Sequence, residues 1–406
     1  MRYRVLILLM AGGIVASILP DDSYGQNRYS VFTSGVLGGT KSLGMSGAMT
    51  GLADNYSGAL DNPAGPAMTL ERSEFAGVVG QLSSSLLNDP QSKYVYGELG
   101  ASTSLTWGGG VTLNDAFSFS AKDPSGEVIS VRSYALTLSQ RFLDNRLSIG
   151  VAPLLGIVST QSQHMKSLNW RLGVLYRFPH QIFLGASYRF PLSYQPDSKN
   201  RIFTTPGVFS LGASWMVNRF FRAAFSLKAI GNEDQTFMIH LPQEQVGRSL
   251  SLQYHLGIDY QFISFKGLDA YLYAGTYSEN TRSSLGSRQH YTWGVEVLPL
   301  FFQLSAAQDV GPQYQNTILK ISFNLGFILE NLPIYPPSVK GPSGGVLPNP
   351  IKRSEDWLMT HVQDHPEDSF QVIDPEVSDF ASPLQKNKAV KEDKNLLQKL
   401  FMIFKD

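Results

Sequence analysis

The sequence predicts an all-β protein: a closed antiparallel transmembrane β-barrel of about 14 strands, with an N-terminal plug in its lumen and a mostly irregular C-terminal tail. Three observations carry this reading. Runs of 9 to 14 residues alternate apolar and polar side chains, longer than the five or so residues of an average soluble strand and long enough for a tilted strand to cross a bilayer. Aromatic residues recur near the ends of these runs, as at Tyr176 and Phe178, Tyr188 and Phe190, Trp215, Tyr260 and Phe262, where an interfacial girdle needs them. The chain also opens with the features of an exported protein. A bilayer supplies no water to a free sheet edge, so a wall of such strands has to close on itself.

Composition agrees. Residues of the charged types make up only 16% of the chain, and 37 Gly with 22 Pro leave little room for long helices. The absence of Cys excludes disulfides, thiolate zinc sites and thiol catalysis together. Lys and Arg number 33 and so do Asp and Glu, a balance that gives no footing to a nucleic-acid partner.

Residues 1–25 read as a secretory signal peptide. Arg2 and Arg4 form a basic start, Val5 to Leu19 an apolar centre, and Ser23-Tyr24-Gly25 a small-residue cleavage site before Gln26. The apolar run is short, holds Gly12 and Gly13 and ends at Pro20, which argues against a retained membrane anchor. Residues 26–68 form the plug. From Leu43 to Pro66 there is neither helical periodicity nor strand alternation, and Gly44, Ser46, Gly47, Ala48, Gly51, Ala53, Ser57, Gly58 and Ala59 suit a backbone packed closely inside something else. Pro63 lacks an amide hydrogen and restricts Asn62 to extended conformations, so Asn62-Pro63 is expected to break the wall's hydrogen bonding where the chain leaves the lumen.

Residues 69–330 supply the wall. Strands are expected near 73–83, 95–107, 110–121, 127–141, 145–159, 167–178, 181–192, 207–217, 220–231, 249–262, 267–279, 288–298, 299–309 and 315–328. The clearest is Ser249 to Phe262, where Leu250, Leu252, Tyr254, Leu256, Ile258, Tyr260 and Phe262 alternate with polar residues and Gly257. Connections alternate too: Asp144-Asn145, Pro179-His180 and Asn218-Arg219 are short, whereas 84–94, 193–206, 232–248 and 279–287 are long and polar. Short turns belong to the periplasm and long loops to the outside. Residues 331–406 are a Pro-rich linker and a periplasmic tail with short amphipathic helices, the last from Asp393 to Phe404 with Leu396, Leu397, Leu400 and Phe401 on one side.

No nucleophile elbow, zinc-protease helix, phosphate-binding loop or dinucleotide fingerprint occurs, and no cofactor or metal is called for. Alternation places Arg171, Arg177, Arg189, Arg222, Lys228, His255, Asp259, His290, Glu296 and Lys320 on the inward, polar face. His255 and Asp259 lie roughly 13 Å apart along one strand, too far to share a metal ion by themselves. The inward cations suit either of two roles: holding a carboxylate head group, or pairing with acidic residues to lock the plug, which we put first.

Gly44-Met45-Ser46-Gly47-Ala48, then Leu52-Ala53-Asp54, then Asn62-Pro63-Ala64-Gly65 before the first strand, resemble the N-terminal hatch of the FadL-type outer-membrane transporters, a superfamily that includes the PorV-like barrels of type IX secretion. The resemblance implies a bacterial outer-membrane barrel over residues 27 to 330, with a hatch in which Gly44, Gly47, Asn62 and Pro63 are the marked positions. It further implies an apolar lumen pocket for a fatty acid and lateral release through a kinked wall near Asn-Pro-Ala. Two functions are therefore expected in competition. One is a passive channel for a hydrophobic or amphipathic small molecule of the fatty-acid class. The other is a non-transporting scaffold that docks a secretion or periplasmic protein, the tail being the argument for it. An enzyme such as a barrel lipase comes a distant third. Outer-membrane lipid is a partner in either case.

Overall fold

The computed structural model describes residues 28–30, 39–54, 56, 58–68, 73–84, 94–104, 109–122, 126–143, 145–218, 220–231, 235–236, 251–265, 268–280, 287–299, 302–312 and 314–324. The expected signal peptide and C-terminal tail lie outside them.

Fourteen strands make one closed barrel. In chain order they are β1 Glu74–Ser84, β2 Tyr94–Ser104, β3 Gly109–Lys122, β4 Val128–Phe142, β5 Leu147–Ser159, β6 His164–Phe178, β7 Ile182–Arg189, β8 Val208–Asn218, β9 Phe221–Ile230, β10 Ser251–Phe265, β11 Leu268–Asn280, β12 Ser287–Pro299, β13 Phe302–Gly311 and β14 Tyr314–Asn324. Each pairs antiparallel with its sequence neighbour, and β14 closes on β1 with Tyr314 opposite Ser84 and Asn324 opposite Glu74. The strand expected at 299–309 begins later, at Phe302, because β12 runs on to Pro299. The strand expected to reach residue 192 stops at Arg189.

The outward face is apolar on every side. Val95, Leu168, Tyr291 and Leu319, spread over β2, β6, β12 and β14, are each more than half exposed. A surface this apolar all round is unstable in water and matches lipid. The core is the chain inside the barrel. Leu43, Met45, Ala48, Met49 and Tyr56 have no accessible surface, and residues 39–68 coil there as three helical turns, α1 Gly39–Gly44, α2 Gly58–Asp61 and α3 Gly65–Met68.

One element was not anticipated. Arg28–Ser30 pairs in parallel with Ile202–Thr205 and with Gln235–Thr236, and Thr204 pairs with Ser193. These partners belong to the long loops after β7 and β9, so the first described residues of the 26–68 segment are tied to the end of the barrel opposite the short turns. The lumen thus has two ends of different make: the plug towards the short turns, and this small sheet at the other.

Candidate functional site

The plug meets the wall mainly through backbone. Gly150 on β5 and Gly173 on β6 face each other across the ladder. A Cβ at Gly150 would stand 2.0 Å from the Pro63 carbonyl oxygen, and one at Gly173 would stand 2.2 Å from Asn62 Oδ1. At Gly185 a Cβ would lie 2.0 Å from the Thr50 carbonyl oxygen. Only glycine allows the plug to approach this closely. Barrel hydroxyls then satisfy the plug's carbonyls. Ser148 Oγ donates to Ala64 O at 2.7 Å, Ser187 Oγ to Asp61 O at 2.6 Å, Ser214 Oγ to Gly51 O at 2.7 Å and Thr292 Oγ1 to Gly44 O at 2.9 Å. A carbonyl buried in a lumen needs a donor in place of water, which is why these inward positions are Ser and Thr.

Asn62 is the joint of the plug. Its Nδ2 donates to Thr50 O at 2.8 Å and to Val174 O on β6 at 3.1 Å, while its Oδ1 accepts from Ala64 N at 3.1 Å. Beside Asn62-Pro63, β5–β6 and β6–β7 run without a register shift, while on the other side of β5 the β4–β5 ladder skips Leu136 and Thr137 opposite Pro153 and Ala152. Register shifts fall elsewhere in the wall, at Gly97/Leu99, Asp115/Phe117, Met216/Asn218 and Gln261/Ile263. Pro63 stacks against Gly150 and Gly173 from inside the lumen and never enters the ladder, so its missing amide costs the wall nothing. Gly44 packs against Tyr273, and Gly47 adopts φ +75°, which suits glycine.

Charge locks the plug at three points. In the first, Lys41 Nζ reaches Asp54 Oδ2 at 2.5 Å and Asp259 Oδ2 at 3.0 Å, and Arg222 donates to the same two carboxylates, with Asp54 Oδ2 at 2.7 Å. Two cations and two anions therefore form a neutral, buried group that joins the plug to β9 and β10. Burial pushes the Asp54 carboxyl up, but Lys41 and Arg222 outweigh it and hold the group below its ordinary 3.8. In the second, Lys228 Nζ pairs with Asp61 Oδ1 at 2.9 Å. In the third the ion pair lies within the wall, Lys320 Nζ on β14 with Glu74 Oε2 on β1 at 3.0 Å, and it holds the plug through Tyr56: Lys320 stands 5.0 Å over the Tyr56 ring, and Glu74 Oε1 accepts from Tyr56 N at 2.8 Å.

The other inward residues are placed as follows. His255 Nδ1 bonds to Ser46 O at 2.5 Å, and its ring stacks on Tyr277 at 5.1 Å. Tyr277 stacks in turn on His290 at 4.4 Å, and both bond to Asp309, at 2.8 and 3.0 Å. Arg171 and Arg189 face each other across β6 and β7; Arg189 donates to Pro206 O at 3.4 Å. Arg177 and Glu296 are buried on β6 and β12. Sequence reasoning missed Lys41, Asp54, Asp61, Glu74 and Tyr56. The signal was present, since Lys41, Asp54 and Asp61 are ionisable residues set among Gly, Ala and Ser, and a charge in a buried segment needs a partner.

It also missed what lies beyond the plug. A single buried apolar cluster runs from Leu43 and Tyr56 in the plug, through Val78, Ile129, Val131, Val158, Met165 and Ile318 on the wall, to Tyr194 and Phe203 in the loop after β7. The three ionic locks lie around the plug, and this apolar cluster extends from it towards the long loops.

A closed barrel with an apolar outer face and a plug in its lumen is a plugged, membrane-spanning barrel. No family model matches the sequence, and no curated protein matches it. Among solved structures, the CymD monoaromatic hydrocarbon channel aligns at 13% identity over 71% of this chain and 96% of its own, with TM-score 0.50. The P. putida toluene transporter TodX aligns at 14% identity over 71% of this chain and 98% of its own, also at 0.50. The fold is shared with these two proteins, the plugged barrel that the hatch motif implied.

Proposed function

We propose that the protein is a passive outer-membrane channel for hydrophobic or amphipathic small molecules, with the fatty-acid class as substrate and residues 331–406 as a periplasmic tail. The apolar cluster that links Phe203 and Tyr194 to Leu43 and Tyr56 carries this reading. A molecule with little polar surface partitions into such a lining without losing hydrogen bonds to water, whereas a sugar or an ion would lose them. The hydrocarbon and toluene named for the two structural neighbours are of that class.

A non-transporting scaffold is the second reading, and the three ionic locks favour it, because a barrel that only docks a protein needs its plug fixed. Uptake decides between them. In liposomes, the full chain is expected to admit a labelled long-chain fatty acid well above protein-free vesicles. Val131→Arg, which sets a charge in the apolar lining, is expected to cut that rate at least tenfold while the barrel stays folded. Uptake no faster than through protein-free vesicles overturns the channel reading in favour of the scaffold.

A further inference from the structure

Among the strand residues whose exposure the structure describes, only two exposed ones carry a full charge, and both are basic: Arg132 on β4 and Lys166 on β6. They share one level of the wall, since Arg132 pairs with Ile157 and Ile157 with Lys166. Neither has an ion-pair partner among the described residues. Charge facing hydrocarbon is costly at mid-bilayer and tolerable only near the head groups, so this level marks the interface at the long-loop end of the barrel.

The neighbouring levels fit that placement. One step towards the loops, Ser120, Ser130, Ser159 and His164 lie side by side across β3 to β6. Ser120 and Ser130 hydroxyls are 2.6 Å apart, and His164 Nδ1 lies 2.8 Å from Ser159 Oγ. One step the other way lie Tyr134, Leu155 and Leu168, the last 58% exposed, with Trp170 following. Reading down the wall, hydroxyls and an imidazole come first, then two cations, then apolar side chains. The β4 and β6 backbones stand roughly 10 Å apart, so both long side chains reach the space over Ile157.

We propose that this outer face of β4 to β6 binds one phosphorylated glycolipid of the outer leaflet. Arg132 and Lys166 would take its phosphate, the Ser and His level its sugar hydroxyls, and Leu155, Leu168 and Trp170 its acyl chains. The row of three hydroxyls and an imidazole across four strands favours a sugar-bearing head group over a simple phospholipid, whose small head group would leave most of that row unused. The proposal rests on the barrel standing in a membrane and not on what passes through the lumen.

Native mass spectrometry of the full chain, released from nanodiscs, tests it with three added lipids: bisphosphorylated lipid A, the same lipid with both phosphates removed, and phosphatidylglycerol. Wild type is expected to retain the bisphosphorylated form at least tenfold better than either of the others. The R132Q/K166Q double variant is expected to lose that preference, and R132K/K166R to keep it. Equal retention of the phosphorylated and dephosphorylated forms by wild type overturns the site, whether or not the double variant folds. Equal retention of phosphatidylglycerol overturns the glycolipid assignment. Failure of wild type to enter nanodiscs at all would instead refute the membrane reading, and is read separately.

Discussion

Around the plug the lumen is closed by charge and backbone: Lys41, Arg222, Asp54 and Asp259 in one group, Lys228 with Asp61, Lys320 with Glu74, and glycines that let the chain touch the wall. Towards the long loops it is filled instead by Val131, Val158, Met165, Tyr194 and Phe203, which are held by non-directional contact. The two halves differ in what a small displacement costs. Moving a buried ion pair apart strands two charges in a medium that cannot solvate them, whereas sliding apolar side chains past one another, or past an apolar guest, exchanges similar contacts. The plug half resists displacement, and the loop half yields to it more easily.

The largest effect is expected at the four-charge group. Arg222→Met leaves Asp54 and Asp259 to share Lys41, and should cost about 3 to 5 kcal/mol, read as a lower temperature for loss of the compact band in unboiled SDS gels. Loss of under about 1 kcal/mol would mean that the group is solvated and the contrast between the halves is wrong. Acid should act on the same group. Asp54 is held below its ordinary 3.8, so the stability it supplies is complete above about pH 5 and falls away as pH drops through its folded value. Protease access to the plug is the readout, and it should rise only in strong acid. Opening near neutral pH would show that another group controls the plug.

Next come the close contacts. Gly44→Val drives a side chain into Tyr273, and Gly47→Val puts a β-branched residue at φ +75°; each is expected to cost about 1 to 3 kcal/mol. An unchanged unfolding temperature in both variants would show that the plug is loose in the lumen.

How far these halves could be read from the sequence depends on which direction the information runs. Along a strand, alternation is local, so β10 was legible as Ser249 to Phe262 and is found at Ser251–Phe265. Across strands it is not. That Arg171 meets Arg189, or that His255, Tyr277 and His290 stack, depends on register between runs far apart in the chain. The apolar lining was hidden for a further reason. At the loop end of β4 the pattern inverts, with Ile129 and Val131 inward and Ser130 and Arg132 outward, so assigning the apolar face to lipid mislabels both sides there. The small sheet was hidden by length, because Arg28–Ser30 and Ile202–Thr205 are too short to alternate visibly.

The smallest effect sharpens the comparison most, because it keeps the chemistry and changes only the surroundings. At the loop end a second group of charges ties residue 127 to the loop after β7: Lys199 Nζ reaches Glu127 Oε2 at 2.7 Å, and Arg201 Nη2 reaches Glu127 Oε2 at 2.9 Å and Asp197 Oδ2 at 2.6 Å. The hydrogen bond from Lys199, then the charge of Arg201, hold the Glu127 carboxyl below its ordinary value. By distance this group matches the one at the plug, yet the Lys199 side chain is 56% exposed where that of Lys41 is 6%. Water solvates Lys199 whether or not it is paired, so Lys199→Ala should cost no more than about 1 kcal/mol, several times less than Arg222→Met. A double-mutant cycle of Lys199→Ala with Glu127→Gln isolates the pair from the rest of the loop. If its coupling equals that of Arg222 with Asp54, burial is not what distinguishes the two ends, and the firmness of the plug has to come from its glycine and serine contacts alone.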